Sequence, residues 1–274
     1  MEAEQAVATG APPALEKMPG HWVLARMGKR VLRPGGIELT RRMLDALEVS
    51  PEDDVVELAP GLGVTARLAL AREPRSYTAV ERDAAAAEEV RRLLAGPGRR
   101  CVLGAAETTG LEDASASVVY GEAMLTMQTP ADKRQIVAEA FRVLRPGGRY
   151  GIHELCLQPD DLAEARKQEI SRALSGTIRV GARPLTPAEW RQLLEEQGFT
   201  VRTSAVAPMH LLEPRRILQD EGLRRTLLFL WNVARTPEAR RRVRAMRAVF
   251  RAHARQIAAV MVVAVRPAAG GEAA

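Results

Sequence analysis

The sequence predicts an α/β protein built on a doubly wound sheet of seven strands, interrupted by helical insertions. Three observations carry this reading. Short apolar runs that suit strands buried on both faces alternate with helix-length amphipathic segments through the middle of the chain. One run, Val55-Val56-Glu57-Leu58, passes through Ala59-Pro60-Gly61-Leu62-Gly63 directly into the helix-like Val64-Thr65-Ala66. A strand, a glycine turn and a helix in that order form the ligand-cradling loop of open α/β sheets. Then Ser76-Tyr77-Thr78-Ala79-Val80 reads as a second strand and ends on the acidic Glu81.

The elements follow in order. Residues 1–20 are rich in Ala, Pro and Gly, offer little to bury and are expected to form a disordered tail ahead of a domain spanning 21–274. Trp22, Leu24 and Met27 suggest a short helix, Arg33-Pro34-Gly35-Gly36 a turn, and Leu39, Met43, Leu44 and Leu47 a longer helix. Strands are expected at 54–58, 76–80, 100–103, 117–121 and 149–155, with helices near 65–72, 84–95 and 130–144. Segments 158–185 and 208–257 break the alternation. Between them, Thr186-Pro187-Ala188-Glu189 is a capping box with Pro at the first helical position, so a helix starts there. Strands at 200–205 and 258–266 complete the sheet.

Composition narrows the classes of function. The formal charge is +6, yet nearly all of it is arginine, and aromatic residues that would stack on exposed bases make up 4% of the chain. Nucleic-acid partners are disfavoured on that balance. No apolar run approaches the roughly 18 residues of a membrane span, and the first twenty residues lack a signal-peptide core, so a cytoplasmic location is expected. Cys101 and Cys156 form no metal-binding or disulfide pattern, and no metal ligand cluster is expected. A basic amphipathic helix over 238–257 suits weak attachment to an anionic membrane surface as well as a solvated face over a packed one. Oligomeric state is not legible in these patterns.

Glu57 bears on which ligand the loop would hold. Gly61-Leu62-Gly63-Val64-Thr65-Ala66 also satisfies the dinucleotide pattern, which would make the chain a nicotinamide-dependent oxidoreductase. A fixed negative charge at Glu57 would repel a pyrophosphate, whereas it would attract the ammonium and sulfonium of S-adenosylmethionine. Glu81 is placed to hold a ribose diol.

In its order of motifs the chain resembles the class I S-adenosylmethionine-dependent methyltransferases, in particular the small-molecule type related to ubiquinone and menaquinone C-methyltransferases. The run from Glu57 to Gly63 resembles that family's acidic glycine loop, and Val80-Glu81-Arg82 resembles its second motif. Gly104-Ala105-Ala106-Glu107, Ser117-Val118-Val119-Tyr120 and Leu144-Arg145-Pro146-Gly147-Gly148 resemble the later ones. The resemblance implies a Rossmann-like sheet, S-adenosylmethionine as cofactor and a small organic acceptor. It also implies a cofactor site at Glu57, Ala59, Gly61, Gly63, Glu81, Arg82, Ala106 and Glu107. Three positions depart from the pattern: Ala59 replaces a glycine, with a methyl that fits a negative φ, Ala105 replaces an aspartate that meets the adenine amino group, and Ser117 replaces a strand-initial aspartate.

Methyl transfer from a sulfonium needs alignment and exclusion of water, and a base only for some acceptors. Glu122, after the fourth strand, and His153, in the fifth, are the catalytic candidates, with His210 a weaker third. His153 and Glu154 must point to opposite faces of the sheet. Tyr120, Met124, Leu125 and Met127 could wall an apolar acceptor site. Both insertions are expected to fold over the carboxyl ends of the strands and form the acceptor pocket. A cofactor- or partner-binding protein without catalysis is the alternative outside the enzymes, because a fold does not guarantee activity.

Overall fold

The computed structural model of the chain describes residues 14–268. Its sheet has seven strands: β1 (Asp54–Leu58), β2 (Ser76–Glu81), β3 (Arg99–Leu103), β4 (Ala116–Glu122), β5 (Leu144–Leu157), β6 (Thr200–Pro208) and β7 (Ile257–Val265). They lie in the order β3-β2-β1-β4-β5-β7-β6. The expected doubly wound seven-stranded sheet is present, with one feature the sequence does not announce. β7 runs antiparallel to both of its neighbours, β5 and β6. Its run Ile257–Val265 is apolar throughout and buried almost to the end, and such a pattern carries no direction.

Alternation along β7 feeds two cores, one on each face of the sheet. Ala258, Val260 and Val262 pack with side chains of α5 (Pro130–Val143) and α7 (Pro187–Glu196). Ala259, Met261 and Val263 pack on the other face with α2 (Gly36–Ala46), α3 (Val64–Leu70) and α4 (Ala84–Leu93). The predicted capping box forms at α7, where Thr186 Oγ1 accepts from Glu189 N at 3.2 Å and Glu189 accepts in return from Thr186 N at 2.7 Å. A second box, Thr129 with Asp132, starts α5. Each such cap stabilises its helix by roughly 1 kcal/mol.

Four further helices form a roof over one end of the sheet: α1 (Gly20–Arg26), α6 (Glu164–Ile178), α8 (Pro214–Arg235) and α9 (Pro237–Ala252). The roof has an apolar cluster of its own, in which Val23 and Leu24 of α1 meet Ile217 and Phe229 of α8 and Met246 of α9. Buried cations tie its pieces together. Lys29, fully buried after α1, lies 3.6 Å from Glu221 and 3.9 Å from Asp220 of α8. Burial pushes its ammonium below the usual lysine range, against the pull of the two acids. Arg242 of α9 donates to the carbonyls of Leu15, Glu16 and Thr177.

Two expectations change here. Residues 1–13 of the expected tail lie outside the described residues, but Leu15 and Met18 are buried in the roof, so the packed chain begins before residue 20. The helix expected over 238–257 ends at Ala252, and Ile257 opens β7 instead. Among the described residues, no helix is long and apolar enough to cross a membrane.

Candidate active site

The strand order reverses between β1 and β4, which lie side by side with their connections leaving in opposite directions. Open α/β sheets bind ligands in the crevice at such a point. Here the crevice widens into a cavity of about 480 Å³, within the range of small-molecule sites. Its floor is the end of β1 and the following loop, including Glu57, Ala59 and Gly61. Glu81, Arg82, Ala106 and Glu107 form one wall, and Glu122, Met124 and Met127 another. The roof supplies Trp22, Leu174, Ile178, Met209, Met246 and Phe250. Both insertions thus reach the cavity, together with the N-terminal segment.

Two carboxyl groups stand at the ends of the adjacent strands, and their surroundings drive them apart. Glu57 is 3% exposed and receives the hydroxyl of Tyr77, which lies 2.8 Å from that of Tyr120. Burial, more than the hydrogen bond opposes it, pushes its carboxyl up to about 8. Glu122 is buried as well, and burial pushes it up, but Arg33 and His153 outweigh that and hold it at about 2. Arg33 Nη1 lies 2.5 Å from Glu122, Thr40 donates to it at 2.6 Å, and Thr65 donates to it too. One carboxyl at the crevice is therefore neutral at pH 7 and the other is a carboxylate.

This corrects the sequence argument in one respect. The charge at Glu57 is not fixed as expected, because burial and the neighbouring Glu122 charge disfavour a carboxylate there more than the hydroxyls of Tyr77 and Tyr120 favour it. Glu57 is a latent anion that a cationic ligand would bring out.

His153 faces Glu122 across the β4–β5 ladder, its Nδ1 at 2.7 Å from Glu122 Oε1. Its Nε2 lies 2.6 Å from the carbonyl oxygen of Pro34, and the side chain is wholly buried. Both ring nitrogens are occupied by acceptors, and the ring does not line the cavity. His153, one of the two catalytic candidates, therefore sits behind Glu122 and off the cavity wall. Glu122 does line the cavity, but its oxygens are taken up by four neighbours and its proton affinity is low, which makes it a poor base. His210 lies away from the cavity, in a shallow groove beside Glu213 and Arg247. As the strand period requires, Glu154 points the opposite way from His153. Its carboxylate accepts from the N–H groups of Met124, Leu125 and Thr126 and fixes the turn after β4. Of the expected acceptor wall, Met124 and Met127 line the cavity, while Tyr120 and Leu125 are core.

Of the loop residues expected at the cofactor, Ala59 and Gly61 line the cavity and Gly63 does not. Gly61 has φ +54 and open space where a side chain would begin, so its backbone faces the cavity without obstruction. Its N–H donates to Glu81 at 3.2 Å, joining the β1 and β2 loops. Gly63, at φ +67, starts α3 and packs against Leu93 instead of lining the cavity. A methyl added there would lie 2.5 Å from Leu93 Cδ2. Gly63→Ala should cost roughly 1–2 kcal/mol for the left-handed backbone alone, read as a lower urea midpoint. Ala59 departs from expectation. Its φ is +52, not negative, so the residue that replaces a glycine carries the strain a glycine would avoid. Ser117 bridges Asp53 and the backbone of Asp54 at the far end of the sheet, away from the cavity.

Arg33, Thr40 and Thr65 are the site residues that sequence reasoning missed. Arg33 sat in a segment read only as a turn, and its partner Glu122 is 89 residues away.

An open α/β sheet with one reversed strand and an acid-lined crevice at the switch point is a Rossmann-like scaffold with a ligand site at its usual place. The comparisons with known proteins place it further. Residues 55–148 match the family model described as a methyltransferase domain. An uncharacterized protein of Haemophilus influenzae is 32% identical over 218 residues, covering 78% of this chain and 84% of that protein. Residues 55–148 thus form a methyltransferase domain, set on the seven-stranded sheet order described above. Among solved structures, the (4+2)-cyclase SpnF superposes with a TM-score of 0.70 at 13% identity, over 95% of this chain and 100% of the other. Phosphoethanolamine N-methyltransferase 2 of Haemonchus contortus, in complex with phosphomonomethylethanolamine and S-adenosylhomocysteine, does so at 0.66 and 17%, over 90% of this chain and 57% of the other. At these identities the likeness is one of fold.

Proposed function

We propose that this methyltransferase transfers the methyl group of S-adenosylmethionine to a small, largely apolar organic molecule in the cavity below the roof. The observation that carries the proposal is the buried Glu57 at the β1–β4 crevice, which lines one cavity together with Gly61 and Glu81; burial raises its carboxyl to about 8, so full ionisation awaits a cationic partner. The residues present fit the cofactor. Glu57 would face its cationic methionine end, Gly61 would let the backbone approach, Glu81 would accept from the ribose hydroxyls, and Ala106 with Glu107 and Arg82 would border the adenine. The solved relatives crystallised with S-adenosylhomocysteine or sinefungin support the same assignment.

When bound, the sulfonium supplies an electrophilic methyl carbon. The chain aligns an acceptor with it and keeps water out. The apolar roof residues Trp22, Ile178, Met209 and Phe250 do both, and their lining suits an apolar acceptor, a quinone-like molecule among them. Glu122 and His153 act as positioning residues: they anchor Arg33 and Pro34 of the N-terminal segment to the end of the sheet.

Calorimetry of the full chain with S-adenosylmethionine and, in parallel, NADH tests the reading. Saturable binding of the methyl donor alone is expected, and binding of NADH alone overturns it. Glu81→Ala separates the cofactor's position from its identity. Charge-assisted hydrogen bonds contribute about 1.5–3 kcal/mol, so affinity should fall by one to two powers of ten at about 1.4 kcal/mol per tenfold. An unchanged affinity in a folded variant would place the ribose elsewhere.

A further inference from the structure

Helix α8 is apolar on two sides. Thr226 and Phe229 face inward and are buried in the roof. On the outside, Leu223, Leu227, Leu230 and Trp231 are 64, 58, 49 and 60% exposed. Their spacing sets them on one face of the helix, with Leu228, also exposed, at its margin. Among the described residues nothing covers this face. Single exposed leucines are ordinary, but a contiguous stripe of this kind marks a surface for binding.

The charge around the stripe says what it would bind. Residues 214–252 hold eleven arginines against three acids. Two of those acids, Asp220 and Glu221, are buried against Lys29, so the outer surface is strongly basic. Arg224 and Arg235 are exposed at the border of the stripe, and the Arg235 guanidinium lies 5.3 Å from the Trp231 ring centre. A second copy of the chain is a poor occupant. A twofold contact on this face would bring the same arginines together, with Glu238 the one exposed acid of the segment to offset them. An amphipathic helix with Leu and Trp on its outer face and Arg at its border matches an interfacial helix on an anionic lipid surface. Helix α9, in the region where the sequence suggested such a role, does not match it. Its apolar side chains lie in the roof, and Arg241, Arg242, Arg247 and Arg251 are engaged by Glu16, backbone carbonyls and Glu213.

We propose that α8 seats this chain on an anionic membrane surface, with Leu223, Leu227, Leu230 and Trp231 in the headgroup and acyl boundary and Arg224 and Arg235 against the headgroups. The contact needs neither cofactor nor acceptor, so it stands or falls apart from the proposed methyl transfer. It would hold the roof, whose inner side lines the cavity, against the bilayer.

Flotation of the full chain with vesicles of phosphatidylglycerol and phosphatidylcholine in equal parts, against phosphatidylcholine alone, is the test. Binding to the anionic vesicles is expected, weakening as salt is raised. The variant Leu227→Asp with Trp231→Asp should weaken it at least about tenfold, which is about 1.4 kcal/mol. Both side chains are exposed, and an unchanged melting temperature verifies the fold. Should that variant not fold, Arg224→Gln with Arg235→Gln takes its place and should lower the salt dependence of binding. The proposal is overturned by absence of binding to the anionic vesicles, or by binding that the variants leave intact. It is overturned equally by sedimentation showing a parent dimer that the Leu227→Asp, Trp231→Asp variant splits, which would make the stripe a contact between copies.

Discussion

The affinity for S-adenosylmethionine is expected to rise about tenfold for each pH unit up to about pH 8 and then to level off, because Glu57 must ionise to meet the ligand. The sign follows from the raised carboxyl. Below about pH 8 the empty site holds a neutral Glu57, so binding a cation expels a proton, at about 1.4 kcal/mol for every unit of pH below that point. Above it the proton has already gone. Calorimetry at pH 7 in buffers of different ionisation enthalpy should therefore show about one proton released per ligand bound. Glu57→Gln should bind more weakly at pH 8, show no proton release and lose the pH dependence. A parent chain whose affinity is flat between pH 6 and 9 would remove Glu57 from the cofactor site.

The second large effect concerns stability. Glu122→Gln leaves Arg33 buried without its counter-charge, and breaking a buried pair in this way costs about 3–5 kcal/mol. Urea unfolding at pH 7 should show the loss as a lower midpoint at unchanged slope. Glu122 is held at about 2 in the folded chain, below its ordinary value of 4.5, so its contribution is complete above pH 4.5 and fades as pH falls toward 2. The variant should lack that acid-sensitive component. Arg33→Met combined with Glu122→Leu should recover much of the lost stability, since an apolar pair of similar volume avoids the desolvation of two ions. A double variant no better than Glu122→Gln would mean that the other Glu122 partners, Thr40, Thr65 and His153, carry the cluster.

The elements most legible in the sequence are those whose information is local. The β1 run, the two glycines after it, the acid closing β2 and the capping box at Thr186 each announce themselves within a few residues. The direction of β7 is not local, because a strand buried on both faces has the same apolar pattern whichever way it runs. The same holds for the site. Glu57 and Glu81 were legible as acids at strand ends, but the charge state of Glu57 depends on Tyr77, Tyr120 and Glu122, which reach it across the sheet. Arg33 and His153 meet through Glu122 over long stretches of chain, and no spacing rule joins them. The helix pattern around 238–257 pointed to a basic amphipathic face, but which helix keeps an apolar face in solvent depends on how α8 and α9 pack on each other. Ala59 shows the limit of reasoning by substitution: the methyl fits without strain at a negative φ, and the turn keeps a left-handed backbone there all the same.

The ionic tether between Lys29 and the acids of α8 bears on how this enzyme could be given a new acceptor. Exchanging the segment 208–257 for that of a relative is an obvious way to remodel the cavity. Done alone, the exchange would strip Lys29 of Asp220 and Glu221 and leave an ammonium sealed in the interior, a defect of about 3–5 kcal/mol. Arg242 departs with the same segment and frees the carbonyls of Leu15, Glu16 and Thr177. A workable chimera has to carry the N-terminal stretch through Lys29 together with 208–257, or replace Lys29 by an apolar residue in the same step. Specificity in this scaffold is thus inherited as a matched set of distant segments, and transplanting them singly destabilises the host before it can retune it.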